Sequence, residues 1–229
     1  MDTSPNPHDL LKIGTLECIE HLVKAPSWVE KSLTAAPFLV VRRASPVDGA
    51  IAIGVRGNSR DERWPGYVRP EGIKAILSPF ELCSGTSISP GRLEAISALR
   101  NLTVLEKKWC SVAFKWGPGG SVGFELASGY PMATPQSDLD IVIFAPESFD
   151  HEYARELLWS VQQISMAIDV TVEAPECAFK LKEYVAGNGA LVLLRFAGGP
   201  RLGADPWQVE LAADSSKRDG LPEKVEASA

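Results

Sequence analysis

Two aspartates one residue apart, Asp138 and Asp140, stand at the head of the apolar run Ile141-Val142-Ile143-Phe144. On a strand they share a face, with Cα atoms roughly 6.5 Å apart, while Leu139, Ile141 and Ile143 turn to a core. Carboxylates so placed repel each other and lose solvation. A divalent cation removes that conflict, and oxygen ligands of this kind suit magnesium, which keeps waters and takes substrate phosphates as further ligands. Upstream lies Gly119-Gly120-Ser121, sixteen residues (122–137) before Asp138. Glycine lets backbone N–H groups approach an anion, and the Ser121 hydroxyl can join them around phosphate oxygens. Downstream, Asp169 lies between Ile168 and Val170. If its strand lies beside that of Asp140, it completes a three-carboxylate site, Asp138, Asp140 and Asp169. There it ligates metal, accepts a nucleophile's proton or orients the nucleophile.

A second concentration of charge precedes these. Arg42, Arg43, Arg56, Arg60, Arg63 and Arg69 face only Asp48, Asp61 and Glu62, so this stretch is net +3 in a chain that is net −6. Arginine's planar fork pairs bidentately with phosphate or carboxylate. The same charges would also serve as a solvated face. Glu147 and Asp150 read as residues opening a helix, Asp150 as its cap. Lys115 and Arg201 read equally as phosphate contacts or surface charges. His8, His21 and His151 show no metal-ligand spacing and read as ordinary, and Trp116 reads as a packing residue.

The elements that must hold these groups follow from periodicity. A helix is expected over Leu10–Val23, a buried strand at Phe38–Val41 and another at Ile51–Val55 before Gly57-Asn58. Leu93, Ile96, Leu99, Leu102 and Leu105 recur at three and four, predicting one amphipathic helix over Arg92–Lys108. Strands are expected at Val112–Lys115, Asp140–Phe144 and Ile168–Val172, with a helix over Asp150–Met166. Val122–Leu126 alternates weakly and its type stays open. A Gly-Asn-Gly turn precedes an apolar run ending at Leu194, and Gly198–Trp207 reads as a turn anchoring the C-terminal part. The order predicts an α+β fold: a mixed sheet with flanking helices preceded by a smaller α/β domain. The Ser/Gly/Pro-rich segment 84–91 suggests a boundary, giving an arginine-rich domain over 1–88, a catalytic domain over 89–210 and a mobile polar tail over 211–229.

Composition bounds the function. Of the 229 residues, 45% are hydrophobic and 23% charged, which suits a folded globular chain. A net charge of −6 argues against a general nucleic-acid coat. No apolar run approaches the roughly 18 residues of a membrane span, and Met1-Asp2-Thr3-Ser4-Pro5 has no leader character, so a cytoplasmic location is expected. The four cysteines, at 18, 83, 110 and 177, form no Cys-x-x-Cys pair and read as reduced thiols.

The glycine-serine turn, the spacer, the Asp-x-Asp strand and the later carboxylate resemble the nucleotidyltransferase superfamily that includes DNA polymerase beta. The resemblance narrows with Pro7-His8-Asp9-Leu10-Leu11, Val41-Arg42-Arg43-Ala44, Ile53-Gly54-Val55-Arg56-Gly57, Arg60 and Arg63. Trp116-Gly117-Pro118, Gly123-Phe124-Glu125-Leu126-Ala127, Gly198-Gly199-Pro200-Arg201-Leu202 and Asp205-Pro206-Trp207 extend it over roughly residues 7–210. These are similar to malonate decarboxylase holo-acyl-carrier-protein synthase, the phosphoribosyl-dephospho-CoA transferase family. That resemblance implies a donor, 2′-(5″-triphosphoribosyl)-3′-dephospho-CoA, and an acceptor, a serine of the apo acyl carrier subunit of malonate decarboxylase. Diphosphate is released, with Mg2+ as cofactor. It implies that Gly119, Gly120 and Ser121 hold the triphosphate. Arg42, Arg43, Arg56, Arg60 and Arg63 then grip the donor or dock the carrier. Three departures stand out: Ser137 at a hydrophobic position, a longer spacer that predicts an extra loop between Leu126 and Ser137, and Gly119 where threonine is expected. The other readings are a nucleotidyltransferase acting on a different protein or RNA, which leaves the arginines unexplained, and a binding module with a decayed site. The presence of all three carboxylates argues against decay.

Overall fold

The computed structural model describes residues 4–59, 61–83 and 88–208. Arg60, half of the expected linker and the expected tail lie outside them. The fold is mixed α+β, built on two sheets. The first is antiparallel, with β1 (Leu10–Ile13), β2 (Phe38–Val41), β3 (Ile51–Arg56), β4 (Arg63–Val68) and β5 (Ile73–Leu77) in the order β4-β3-β2-β1-β5. Helix α1 (Ser27–Ala35) covers one face through Val29 and Leu33.

The N-terminal helix expected over Leu10–Val23 is absent; that segment holds β1 and two short 3-10 turns, Leu16–Cys18 and Leu22–Lys24. The physical reason is that β1 lies inside the sheet with Leu10, Leu11 and Ile13 buried and Lys12 exposed. Leu11 and Ile13 pack into the cluster beneath α1, while Leu10 packs toward the second sheet. A strand buried on neighbouring positions loses its alternation and is indistinguishable from a buried helix by pattern alone.

After α2 (Pro90–Ala95) and α3 (Ser97–Lys108), the second sheet comprises six strands. They are β6 (Lys115–Pro118), β7 (Leu139–Phe144), β8 (Ile168–Glu173), β9 (Ala178–Lys180), β10 (Val192–Phe196) and β11 (Gly199–Gly203), ordered β11-β10-β9-β8-β7-β6. Only the β7–β8 pair is parallel among the pairings described, and α5 (His151–Gln162) makes its crossover. Helix α4 (Gly120–Ser128) joins β6 toward β7, and α6 (Leu181–Gly187) joins β9 to β10. Asp150 caps α5 by accepting the Tyr153 N–H at 2.8 Å.

Two other expectations change. The single helix over Arg92–Lys108 is two, because Ile96 is extended (φ −117°, ψ 107°) and fully buried. Arg100 closes the break by donating to the Leu93 and Glu94 carbonyls at 2.7 and 2.5 Å. The strand expected at Val112–Lys115 starts only at Lys115 and runs to Pro118. Gly198–Trp207 supplies β11 and then an anchor: the Trp207 indole donates to the Ala145 carbonyl at 2.9 Å and meets Phe149 edge-on.

Each sheet has its own apolar cluster, and a third joins them. Leu10, Ala36, Phe38, Leu82, Phe124 and Met132 form this joint, with the Phe38 and Phe124 rings edge to face at 6.2 Å. Backbone also meets backbone: a Cβ at Gly117 would run into the Pro79 carbonyl, so only glycine permits this approach.

Candidate active site

The joint leaves a cavity of about 420 Å³ between the sheets. Its first wall is Arg42, Arg56, Arg63 and Trp64, and its second is Gly119, Gly120, Asp140, Thr171 and Lys180. A smaller neighbour of about 230 Å³ holds Ser121, Ser137, Asp138 and Asp140, again with Arg56 and Arg63. Asp140 and the two arginines thus line both spaces. Arg56 and Arg63 are direct cross-strand partners at the loop end of the β3–β4 hairpin. Like charges set opposite one another are destabilising, and an anion between them reverses the sign.

β7 begins at Leu139, so Asp138 stands just before the strand and is exposed, while Asp140 is half-buried. Leu139, Ile141 and Ile143 are fully buried on the opposite face, which fixes the register of the pair. β8 runs parallel beside β7 and sets Asp169 directly opposite Asp140. Burial raises the Asp140 pKa above the ordinary carboxylate value. Asp169 and Asp138 add to the rise, and Lys180 and Arg56 oppose it. An oxygen-only pair in which the anionic form of Asp140 is disfavoured by burial and like charge fits a divalent cation.

Asp169 is otherwise engaged: Lys180 Nζ donates to its Oδ2 at 2.5 Å and to Thr171 Oγ1 at 2.8 Å. Among the described residues, no three His, Cys, Asp or Glu side chains gather closely enough to hold a metal ion. The three carboxylates therefore share one strand end without sharing one ligand sphere.

The glycine turn opens α4 and leans on β7. Gly119 N–H donates to the Asp140 carbonyl at 2.8 Å. Gly120 has φ +56°, and a Cβ there would strike the Asp140 carboxylate. At Gly119 a Cβ would meet only ordinary contacts, the nearest being Val142 Cγ2 at 3.4 Å, so threonine would fit. Ser121 is buried at the first turn of α4. The segment Val122–Leu126, of open type in sequence, belongs to this helix.

The loop after α4 is braced from inside. Buried Glu125 receives a bidentate pair from Arg92 at 2.8 and 2.7 Å and accepts the Ala133 N–H at 2.8 Å; Arg92 also donates to the Ala133 carbonyl at 2.7 Å. The Thr134 N–H then bonds to Ser137 Oγ at 2.9 Å, delivering the chain to Asp138.

Sequence reasoning missed His8, Glu173 and Lys180. His8 has φ +74° in a turn held by buried Asp9, which accepts the Ser78 hydroxyl at 2.6 Å and the Asn6 N–H at 2.8 Å. Its ring reaches across the cleft to Glu173 Oε1 at 2.9 Å, and Arg43 grips the other oxygen of the same carboxylate. Burial, with Arg43 and Lys180 nearby, lowers the His8 pKa to about 4, against the opposing pull of Asp140 and Asp9. The neutral ring gives Nε2–H to Glu173. Arg43 is thereby tied to the second sheet, unlike Arg42, Arg56 and Arg63 on the cavity wall. Only the unusual Pro-His-Asp turn could have signalled His8, since its partner is 165 residues away. Lys115 lies over the Phe80 ring at 4.7 Å and Arg201 over Phe196 at 5.7 Å, and Trp116 is buried against Trp109.

Fixed dipoles, paired carboxylates and arginines gather around one cleft, an arrangement suited to transfer chemistry on a polyanion. The chain is a member of the phosphoribosyl-dephospho-CoA transferase family. The model of the "Phosphoribosyl-dephospho-CoA transferase MdcG C-terminal domain" matches residues 88–206, and that of the corresponding N-terminal domain matches 6–79. A phosphoribosyl-dephospho-CoA transferase of Pseudomonas fluorescens (strain Pf0-1) is 37% identical over 90% of this chain and 97% of its own. Proteins of the same name from Pseudomonas aeruginosa (36% identity, 90% and 95% covered) and Klebsiella pneumoniae strain 342 (34%, 92% and 100%) are similar throughout. No solved structure matches significantly. Among the described residues, no helix is long and apolar enough to cross a membrane.

Proposed function

We propose that this transferase moves the phosphoribosyl-dephospho-CoA group of 2′-(5″-triphosphoribosyl)-3′-dephospho-CoA onto a serine of the apo acyl carrier subunit of malonate decarboxylase. The observation that carries the reading is the single cavity lined by Arg42, Arg56 and Arg63 on one side and Gly119, Gly120 and Asp140 on the other. A triphosphate needs cations and N–H donors from both sides at once, and this cleft has both. The serine oxygen attacks the α-phosphorus, the bond to the diphosphate breaks, and a phosphodiester remains on the carrier. Such a transfer depends mainly on in-line positioning and charge stabilisation. Asp138 and Asp140 would hold magnesium, whose contribution when bound is to neutralise charge on the leaving diphosphate. Asp169 keeps a half-exposed carboxylate toward solvent and orients the attacking hydroxyl. Arg56 and Arg63 grip donor phosphates, and Arg43 keeps the cleft closed through Glu173.

Incubating the protein with apo carrier and donor, then weighing the carrier by mass spectrometry, tests this directly. The expected result is a carrier heavier by one phosphoribosyl-dephospho-CoA group; an unchanged mass overturns the reading. Charge reversal at Arg56 or Arg63 should weaken donor binding in calorimetry with no carrier present. Loss confined to carrier association and its salt dependence would instead place these arginines at the protein partner.

A further inference from the structure

The lysine beside the third carboxylate has no part in the scheme above. Lys180 ends β9 between Phe179 and Leu181, both fully buried, so its backbone is fixed from both sides. It is the cross-strand partner of Thr171. From there its side chain passes Thr171 Oγ1 and ends on Asp169 Oδ2, two residues along the same face of β8. Asp169 is in turn the cross-strand partner of Asp140. Asp140, Asp169 and Lys180 are thus linked across three adjacent strands, with Asp140 and Lys180 lining the cavity.

We infer that the Lys180 ammonium takes the place of a second divalent cation, so that Asp138 and Asp140 bind one metal ion and Asp169 binds none. The inference rests on the metal reading given under the proposed function and deepens it. Three observations carry it. Asp169 already has a cationic partner at 2.5 Å, and no third carboxylate closes on Asp138 and Asp140 among the described residues. The charge is matched too. Three carboxylates less one ammonium leave two negative charges, the charge of one divalent ion. A lysine is suited to the place because its ammonium is a compact point charge with three donors on a tethered stem. Unlike a second ion, it cannot leave with the diphosphate.

Manganese(II) alone, titrated into the full chain by calorimetry, counts the ions. The Asp138→Ala/Asp140→Ala double variant supplies the background. Above that background the native protein should bind one ion and Lys180→Met two, the second on the freed Asp169. Lys180→Arg, which keeps the charge, should bind one. Two ions in the native protein, or one in Lys180→Met, would overturn the inference and leave the metal reading standing. Binding no stronger than background in the native protein would remove the metal reading and this inference together. Asp169→Asn gives a check that does not depend on Lys180→Met folding. It should bind one ion with native affinity, and loss of that ion would make Asp169 a ligand and overturn the inference.

Discussion

Gly120 is the residue on which the site's geometry turns. Its left-handed backbone costs other residues about 1–2 kcal/mol, and any side chain there collides with the Asp140 carboxylate. Gly120→Ala should therefore lower the melting temperature modestly and abolish most transfer, because Asp140 must swing away. Full activity in that variant would show that Asp140 does not act from this position. Asp138→Ala and Asp140→Ala should each reduce turnover by about 10³-fold, the several kcal/mol of charge stabilisation at stake, with far-UV circular dichroism unchanged. Near-native turnover of either at saturating magnesium would remove the assignment. These groups could be read from sequence because their chemistry is written in consecutive residues. Asp169 was also legible, since an acidic residue between Ile168 and Val170 stands out. Lys180 was not, because nothing near it in sequence shows that it crosses a strand to meet Asp169. His8 was hidden further still, and Arg43 could not be told from Arg42 until the second sheet was in place.

At the level of elements, β7, α5 and β8 follow their periodicity, and failures occur where tertiary contacts outvote the pattern. Leu10, Leu11 and Ile13 are buried on neighbouring positions and mimic a helix; Ile96 sits where one amphipathic stripe hides a break. Helix α4 begins with glycines and carries buried residues on consecutive positions, so its pattern was unreadable. The brace between α2 and α4 was equally silent, although Arg92 and Glu125 are both plain in the sequence. Arg92 is partly exposed and Glu125 buried, and leaving a buried acceptor without its partner costs roughly 2 kcal/mol. Arg92→Ala should lose about that much in urea unfolding. It should also slow transfer more than it weakens donor binding, because the loop leading to Asp138 is released while the arginine wall stays intact. A variant destabilised to that extent with unaltered kinetics would show that the brace supports the fold alone.

For the whole molecule, two bodies are joined by an apolar cluster and by one carboxylate, Glu173, held by His8 and Arg43 from the other side. The His8 pKa falls from 6.5 to about 4 in the folded protein. Between those values the unfolded chain binds the extra proton, so stability decreases as pH is lowered through this window and is fully present above it. Glu173, Asp140 and Asp9 face the ring as acids, Arg43 and Lys180 as bases. Asn tolerates the left-handed backbone that His8 adopts. In His8→Asn, the loss of stability between pH 6.5 and 4 should be shallower than in the native protein. Parallel urea midpoints across that range would refute the linkage.

The same carboxylate clasp has a consequence for how the protein is made. His8 and Glu173 are separated by 165 residues. At bacterial or eukaryotic elongation rates of about 5–20 residues per second, roughly 8–33 s pass between the ribosome adding one and adding the other. Late in that interval, once β5 has cleared the tunnel, the arginine-bearing sheet with its own apolar cluster is outside, while the carboxylate that secures it has not been synthesised. A nascent chain thus displays its cationic wall to solvent before the second wall of the cavity faces it. Chains released by truncation before residue 173 would keep that exposed surface for good.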